Sequence, residues 1–496
     1  MKEKVFRILD TYSFLIVAWS LIFLESILIL KGEWAGDFWE HSAVVKELSA
    51  HLIHPHNPII RSTTPHAFFS PYALLVAVFS RTTGASSIHA LTCFAFFNLI
   101  LFLYSFYQFC QSIFSKDFRP VAALSLLFLL FFYGVQPFRW SGFYNIRVLN
   151  YVLPYPSTFT LSLSFLVLAK VAKGGVSSTY WNSVLIIILS AVVFISHPTT
   201  AVFLYIGIIC LNLFFIDIPL RKSMVQSAWF ILVSMALGLG WPYYSVADLL
   251  LGKHDIFNDD SQVLYTNILQ KNWPVALALP ALFRLNDKIA RFFIATILSM
   301  TLILLLGYWA KVYGFSRLIS SVLICAHFLT AYLVVLHLKK RSTFSKVYLW
   351  ILGASLVLSL SLNVKWYLYS FNLFRKKDIA YYERYSFLKF KVAPDDLVLS
   401  DEESNTILLS YNGKVISSKR PLYWVPDIGE RRADVASFFN SATPDAQRRV
   451  ILQKYHPDYL LIDHSGGSFD NPTIDSLRDV GNTVYFKNQL ELIRLK

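Results

Sequence analysis

Long uninterrupted apolar runs separated by short polar turns fill most of the chain, and the pattern changes only near the carboxyl end. The runs lie at 12–30, 88–110, 121–135, 156–172, 181–196, 199–216, 225–246, 273–285, 292–310, 317–338 and 348–366. At roughly 17 to 25 residues per crossing they predict about eleven transmembrane helices, the one at Trp273 being short. The first run is followed by bulky polar residues with no small-residue cleavage pattern, which predicts a retained span rather than a removed signal peptide. From about Pro394 the pattern is that of a small soluble domain. DLVLS, KVISS, PDYLLID and TVYFK read as strands, and DVASFF and TPDAQRRVILQKY as helices, the latter with Thr443 as N-cap and Pro444 in its first position. The predicted fold class is an α-helical polytopic membrane protein with a small C-terminal α/β soluble domain. Residues 1–366 form the membrane domain, with a first outer loop at 31–87, and residues 367–496 form an interfacial segment and the α/β domain.

Composition agrees with the pattern, at 55% hydrophobic and 15% charged residues, with a mean hydropathy of +0.50. The formal net charge of +14 gathers in one set of loops: Lys2, Lys4 and Arg7; Lys116 and Arg119; Lys170 and Lys173; Arg221 and Lys222; Arg284, Lys288 and Arg291; Lys339, Lys340, Arg341 and Lys346. By the positive-inside rule these loops and the amino terminus are cytoplasmic, and an odd number of crossings leaves the C-terminal domain outside, as in a bacterial plasma membrane protein. The basic balance therefore speaks for membrane lipids and against nucleic acid as a partner. One further run, SPYALLVAVFSRTTG from Ser70, would reverse every later loop if it crossed, and its short length predicts a helix lying on the outer interface. The four cysteines, Cys93, Cys110, Cys210 and Cys325, sit in apolar runs without CxxC spacing, so neither a disulfide framework nor a cysteine zinc site is expected.

Chemistry gathers just after the first span, in GDFWEHSAVVKELSAHLIHPHNP. If DFWEH opens a helix, Asp37, Glu40 and His41 stand at i, i+3 and i+4 on one face, with Trp39 turned to the membrane surface. A carboxylate there could take a proton from a sugar or lipid hydroxyl, with the Glu and His orienting it or helping to hold a divalent cation such as magnesium or manganese. Asp37 could equally be an N-cap at the start of a solvated helix. The next outer loop, QPFRWSGFYNIRVLNYVLP, has no Asp or Glu but supplies Arg139 and Arg147 beside Trp140, Tyr144 and Asn145. Such arginines can hold a phosphate or anchor the chain at the interface. A later loop, ADLLLGKHDIFNDDSQVLYTN, offers Lys253, His254 and Asp255 as part of a flap over a cleft or as plain solvated charge. Glu25 lies inside the first apolar run, where an ionisable group is costly and turns into a bundle or cavity. His197, in the turn ISHPTT, would share the outer side with Asp37.

The Asp after the first span, the proline-started run SPYALLVAVFSRTTG and the tail QKYHPDYLLID together resemble the GT-C superfamily of membrane glycosyltransferases. That resemblance implies transfer of a sugar from a polyprenyl-phosphate donor to a glycan, lipid or protein acceptor, with inversion and with Asp37 as the catalytic acidic residue. Many members place a second acidic residue in the next outer loop, and this chain has none there. Glu40, Asp248 or Asp255 would have to replace it in any two-carboxylate metal site. Arg147, with Lys253 or a cation, would stabilise the departing phosphate. A transporter of lipid-linked saccharides shares the many spans and internal charges, and an inactive scaffold of the same architecture shares every motif.

Overall fold

A computed structural model gives the structure of residues 2–34, 36–174, 180–251, 261–340, 342–370, 381–419, 422–465 and 479–496. The chain divides into two compact units. One comprises Met1–Leu30, Phe94–Trp241 and Val246–Arg375, and the other Lys31–Cys93, Pro242–Ser245 and Lys376–Lys496.

The first unit is helical, as chains apolar on every side must be where backbone groups can pair only within their own segment. It takes in nearly all of α1 (Lys2–Lys31). Among the described residues of the chain, seven helices are long and apolar enough to cross a bilayer: Tyr12–Lys31, Ser87–Phe114, Pro198–Phe215, Leu220–Leu239, Lys288–Trp309, Tyr313–Lys339 and Thr343–Tyr369. Phe118–Phe131 and Tyr180–Ser196 are shorter apolar helices. Pro156–Gly174 carries many hydroxyls, and those of Thr160, Ser162 and Ser164 bond back to the carbonyls one turn earlier at 2.8 Å, which satisfies them inside a helical bundle. The short crossing expected at Trp273 takes another form: Trp273–Arg284 is a 12-residue 3₁₀ run with Pro280 inside it. Its prolines lack the N–H that an α-helix needs, so the backbone winds more tightly.

The middle of this unit is aromatic. Leu318–Lys339 is buried on nearly every side, and its Phe328 meets Phe106 at 4.8 Å, Phe109 at 5.2 Å and Phe293 at 5.8 Å between ring centroids. Such pairs contribute about 0.5–1.5 kcal/mol each beyond the area they bury. Cys110, Cys210 and Cys325 are buried as free thiols, and Cys93 is a free, exposed thiol.

The second unit joins the segment after α1 to the C-terminal domain. Its loop portion holds α2 (Phe38–Ala50) and α3 (Pro71–Thr83). α3 starts where Ser70 accepts the Ala73 N–H with Pro71 in the first turn, and it stops at Gly84, whose φ of 71° is the left-handed conformation that glycine adopts without strain. Its 13 residues are too short to cross a bilayer, which needs about 20. The C-terminal portion is a five-stranded sheet of order β2-β1-β3-β5-β4, made of β1 (Leu397–Leu399), β2 (Lys414–Val415), β3 (Tyr459–Asp463), β4 (Gly481–Lys487) and β5 (Leu490–Leu495). β2, β1 and β3 run parallel, while β5 is antiparallel to both β3 and β4. Leu399, Ile416, Leu460, Ile462 and Ile493 pack against Val435 and Phe438 of Ile428–Phe438 and Ile451 of Asp445–Tyr455. The last helix starts one residue later than expected. Pro444 holds the N-cap position without a side-chain cap bond, and Thr443 sits before it.

Candidate functional site

In the first unit, the loop that follows Phe118–Phe131 is fixed at its start by hydrogen bonds to a neighbouring helix. The Ser359 hydroxyl donates to Tyr133 O at 2.6 Å and accepts the Tyr133 N–H at 3.1 Å. Asn363 Nδ2 donates to Gly134 O at 2.8 Å and the Tyr367 hydroxyl to Phe131 O at 3.0 Å. Gly134 then lies against Gln270–Lys271, with its N–H on Lys271 O at 2.7 Å and the Val135 N–H on Gln270 O at 3.0 Å. A Cβ at Gly134 would stand 2.0 Å from Gln270 O, so only glycine permits this approach.

The result is a cavity of about 260 Å³ lined by Gln136, Arg139, Trp140, Arg147, Lys271 and Trp366. Drug-sized sites run from about 300 to 1,000 Å³, so this one suits a headgroup rather than a whole lipid. Aromatic rings hold its cations. Arg147 lies 4.5 Å above the Trp366 ring and Lys271 4.2 Å above that of Phe138. Among the described residues none of Arg139, Arg147 and Lys271 has a carboxylate partner. A ring face positions a cation without neutralising it, so the site keeps its positive charge for an incoming anion. Burial, and then the neighbouring Arg139 cation, push the Arg147 guanidinium below its ordinary value, and burial does the same for the Lys271 ammonium. An arginine under that pressure stays charged and gains from a bidentate phosphate. Lys271 and Trp366 lie far from the arginines in sequence; the loop's own arginine-aromatic mixture was the only local signal.

The second unit holds the acidic face. Asp37 is half-buried at the start of α2, and its carbonyl accepts the His41 N–H at 3.0 Å, but its side chain makes no cap bond. Glu40 is 4% exposed. Its Oε1 faces His66 Nε2 at 3.3 Å, while its Oε2 has no hydrogen-bond partner among the described residues. The partner of Glu40 is thus His66, and His41 is buried and stacks on Phe68 at 4.6 Å. Trp39 does not turn to a membrane surface. It is buried between Phe38 and Tyr382, with ring centroids at 5.2 and 4.8 Å, because the C-terminal portion of the same unit covers α2.

Further along α2 lies a cluster that sequence reading passed over. Lys414 Nζ reaches Glu47 Oε2 at 2.9 Å and Asn57 O at 2.7 Å, both groups being buried. Burial raises the Glu47 carboxyl, but the Lys414 ammonium and hydrogen bonds from Lys414, His56 and His51 outweigh it and hold the group below its ordinary value. Burial, then the Lys414 charge, push the Lys46 ammonium down to about 7. Glu47, His51 and His56 are the metal-ligand types that converge among the described residues. Two imidazoles and one carboxylate do not match the all-oxygen shell expected of magnesium or the oxygen-rich one of manganese. The i,i+4 pair Glu47–His51, with histidines at 54 and 56 following, was the available signal.

The remaining candidates are dispersed. Glu25 is fully buried within α1, and neither carboxyl oxygen has a hydrogen-bond partner among the described residues. His197 caps Pro198–Cys210, its Nδ1 accepting the Thr200 N–H at 3.3 Å. Asp248 lies in the first turn of Val246–Leu251. Lys253, His254 and Asp255 fall outside the described residues.

No family model matches the chain, and no curated protein matches its sequence. The structure is similar to that of ArnT from Cupriavidus metallidurans bound to undecaprenyl phosphate, with a TM-score of 0.55 at 9% identity over 97% of this chain and 98% of that one. It is also similar to the oligosaccharyltransferase of Archaeoglobus fulgidus in the apo form, with a TM-score of 0.55 at 12% identity over 92% of this chain and 70% of that one. The same archaeal enzyme in complex with an inhibitory peptide and a dolichol-phosphate gives a TM-score of 0.51 at 11% identity over 92% and 70% of the two chains. The chain shares the fold of these neighbours, as the resemblance to the GT-C superfamily in its sequence implied.

Proposed function

We propose that the chain is a membrane glycosyltransferase that moves a sugar from a polyprenyl-phosphate donor to the hydroxyl of an envelope glycan, lipid or protein acceptor. The observation that carries this reading is the cavity in which Arg139, Arg147 and Lys271 stand without a carboxylate partner among the described residues, two of them posed over aromatic rings. The polyprenyl- and dolichol-phosphates bound by the structural neighbours support the choice of donor. In the reaction the acceptor oxygen attacks the anomeric carbon from the face opposite the phosphate, the bond from that carbon to the phosphate oxygen breaks, and the configuration inverts. Asp37 takes the proton of the acceptor hydroxyl, and Arg147 meets the charge that develops on the departing phosphate. The Glu40–His66 pair fixes the helix start beside Asp37. The positive-inside rule, applied to the basic loops, supports an active face on the extracytoplasmic side of a bacterial plasma membrane.

The test is transfer from a labelled polyprenyl-phosphate sugar by purified protein in nanodiscs. Asp37→Asn keeps the fold and donor binding and lowers turnover about a hundredfold or more, as expected for loss of a positioned base. Near-normal turnover in that variant removes Asp37 from the mechanism, and saccharide translocation without transfer replaces the reading with a transporter. The orientation has its own check. An Ala446→Cys variant in a Cys93→Ala background reacts with an impermeant maleimide in intact cells, and protection of that thiol reverses the assigned face.

A further inference from the structure

The Glu47 carboxylate and the imidazoles of His51 and His56 meet at the end of α2, apart from the groups assigned to sugar transfer. Glu47 Oε1 lies 2.9 Å from His51 Nδ1 and 3.8 Å from His56 Nδ1, and one ligating atom from each residue can be chosen so that all lie within 4.8 Å of one another. The edges of a zinc tetrahedron built from Zn–N and Zn–O bonds of about 2.0–2.2 Å are roughly 3.3 Å, so the two measured separations bracket the spacing that the ion requires. We propose that Glu47, His51 and His56 bind a zinc ion, which clips the end of α2 to the histidine-rich segment that follows it.

The surroundings of the cluster fit that role. Glu47 Oε2 is held by Lys414 and its Oε1 accepts the His56 N–H at 3.0 Å, so the carboxylate is aimed before any ion arrives. Such outer partners orient first ligands and commonly change metal affinity 10–100-fold when lost. The ammonium of Lys414 repels a dication, which confines the ion to the Oε1 side and makes Glu47 a monodentate ligand. His51 and His56 are 50% and 51% exposed, so the ion enters from solvent and a water completes its shell. The N₂O donor set selects zinc over magnesium, and the segment behind it is anchored, since the Tyr243 hydroxyl donates to Leu52 O.

The test uses the full chain in detergent, stripped of metal and titrated with zinc alone against a chromophoric chelator. The wild type takes up a single zinc ion, and cobalt in its place gives the strong visible absorption of a four-coordinate ion. His56→Ala and His51→Ala, both at half-exposed positions, weaken binding by roughly a hundredfold or more, beyond the effect of losing an outer partner. Zinc raises the melting temperature of the wild type but not of His56→Ala. Zinc uptake in the wild type no greater than in the His51→Ala/His56→Ala double variant overturns the proposal, as does a cobalt spectrum without the four-coordinate band. Neither result touches the sugar-transfer reading, which is measured by turnover.

Discussion

The cavity around Arg147 and the cluster around Lys414 use the same raw material, cations taken partly out of water, and treat it in opposite ways. At Lys414 the buried ammonium is met by Glu47 and by the Asn57 carbonyl, at 2.9 and 2.7 Å. At Arg147 the cation is held by the Trp366 ring and meets no carboxylate among the described residues. The first arrangement pairs its buried ammonium within the chain and joins α2 to β2, leaving only the Oε1 side of Glu47 open to a ligand. The second leaves charge to be closed by something else, and this marks it as a binding site. A buried charge alone therefore indicates little; what indicates function is how the charge is compensated.

The largest expected effect breaks the closed arrangement. Lys414→Met leaves Glu47 buried without its ammonium and destabilises the protein by about 3–5 kcal/mol, while the Glu47→Gln/Lys414→Met pair recovers much of that loss, as thermal unfolding of the two variants will show. Breaking the open arrangement leaves stability alone. Arg147→Ala lowers transfer about a hundredfold, roughly 2.7 kcal/mol in the transition state, with an unchanged melting temperature and a flatter dependence on donor phosphate charge. If Arg147→Ala unfolds the protein instead, the cavity is structural and the contrast fails. Lys271→Met sharpens the point with a smaller loss, about tenfold, read as weaker binding of polyprenyl phosphate. The smallest effect belongs to a partly exposed pair, Asp434 with Lys454 at 2.6 Å. Burial raises the Asp434 carboxyl, but hydrogen bonds from Lys454 and Tyr455 outweigh it, so the folded value is below the ordinary 3.8. Its contribution is therefore present above that value and lost as pH falls through the folded one. Asp434→Asn costs less than about 1 kcal/mol near neutral pH, and its melting temperature converges with that of the wild type in acid.

Much of the fold was legible because the membrane imposes one rule on the backbone. The apolar runs became helical over most of their length, with the proline-bearing stretch at Trp273 wound as 3₁₀ and the end of the 199–216 run as a π-helix. The strands at 397, 414, 459 and 481 stood out as short apolar stretches between turns, whereas β5 was missed because Leu490–Leu495 alternates with Glu491 and Arg494, which weakens its apolar signal. In the candidate site, Asp37, Glu40, Arg139 and Arg147 were visible as unusual residue types in the segments between apolar runs. Their partners were not. His66 joins Glu40 through the loop that follows α2, and Lys271 joins Arg147 only because Gly134 lets two backbones meet at hydrogen-bond distance. Local pattern reports which residues are costly to place, while the residues that offset the cost are chosen by tertiary contact.

The bond between Glu47 and Lys414 spans 367 residues of sequence, and it sets a timetable for biogenesis. At 5–20 residues per second, the ribosome delivers Lys414 roughly 20–70 s after Glu47. During that interval α2 has been made but its carboxylate has no ammonium to meet, and β2 does not yet exist. The segment after α1 therefore cannot reach its final packing while the spans are being inserted, and it must wait for a segment near the end of the chain. A polypeptide interrupted before Lys414 would carry the apolar helices of the first unit with Glu47 still lacking its buried partner.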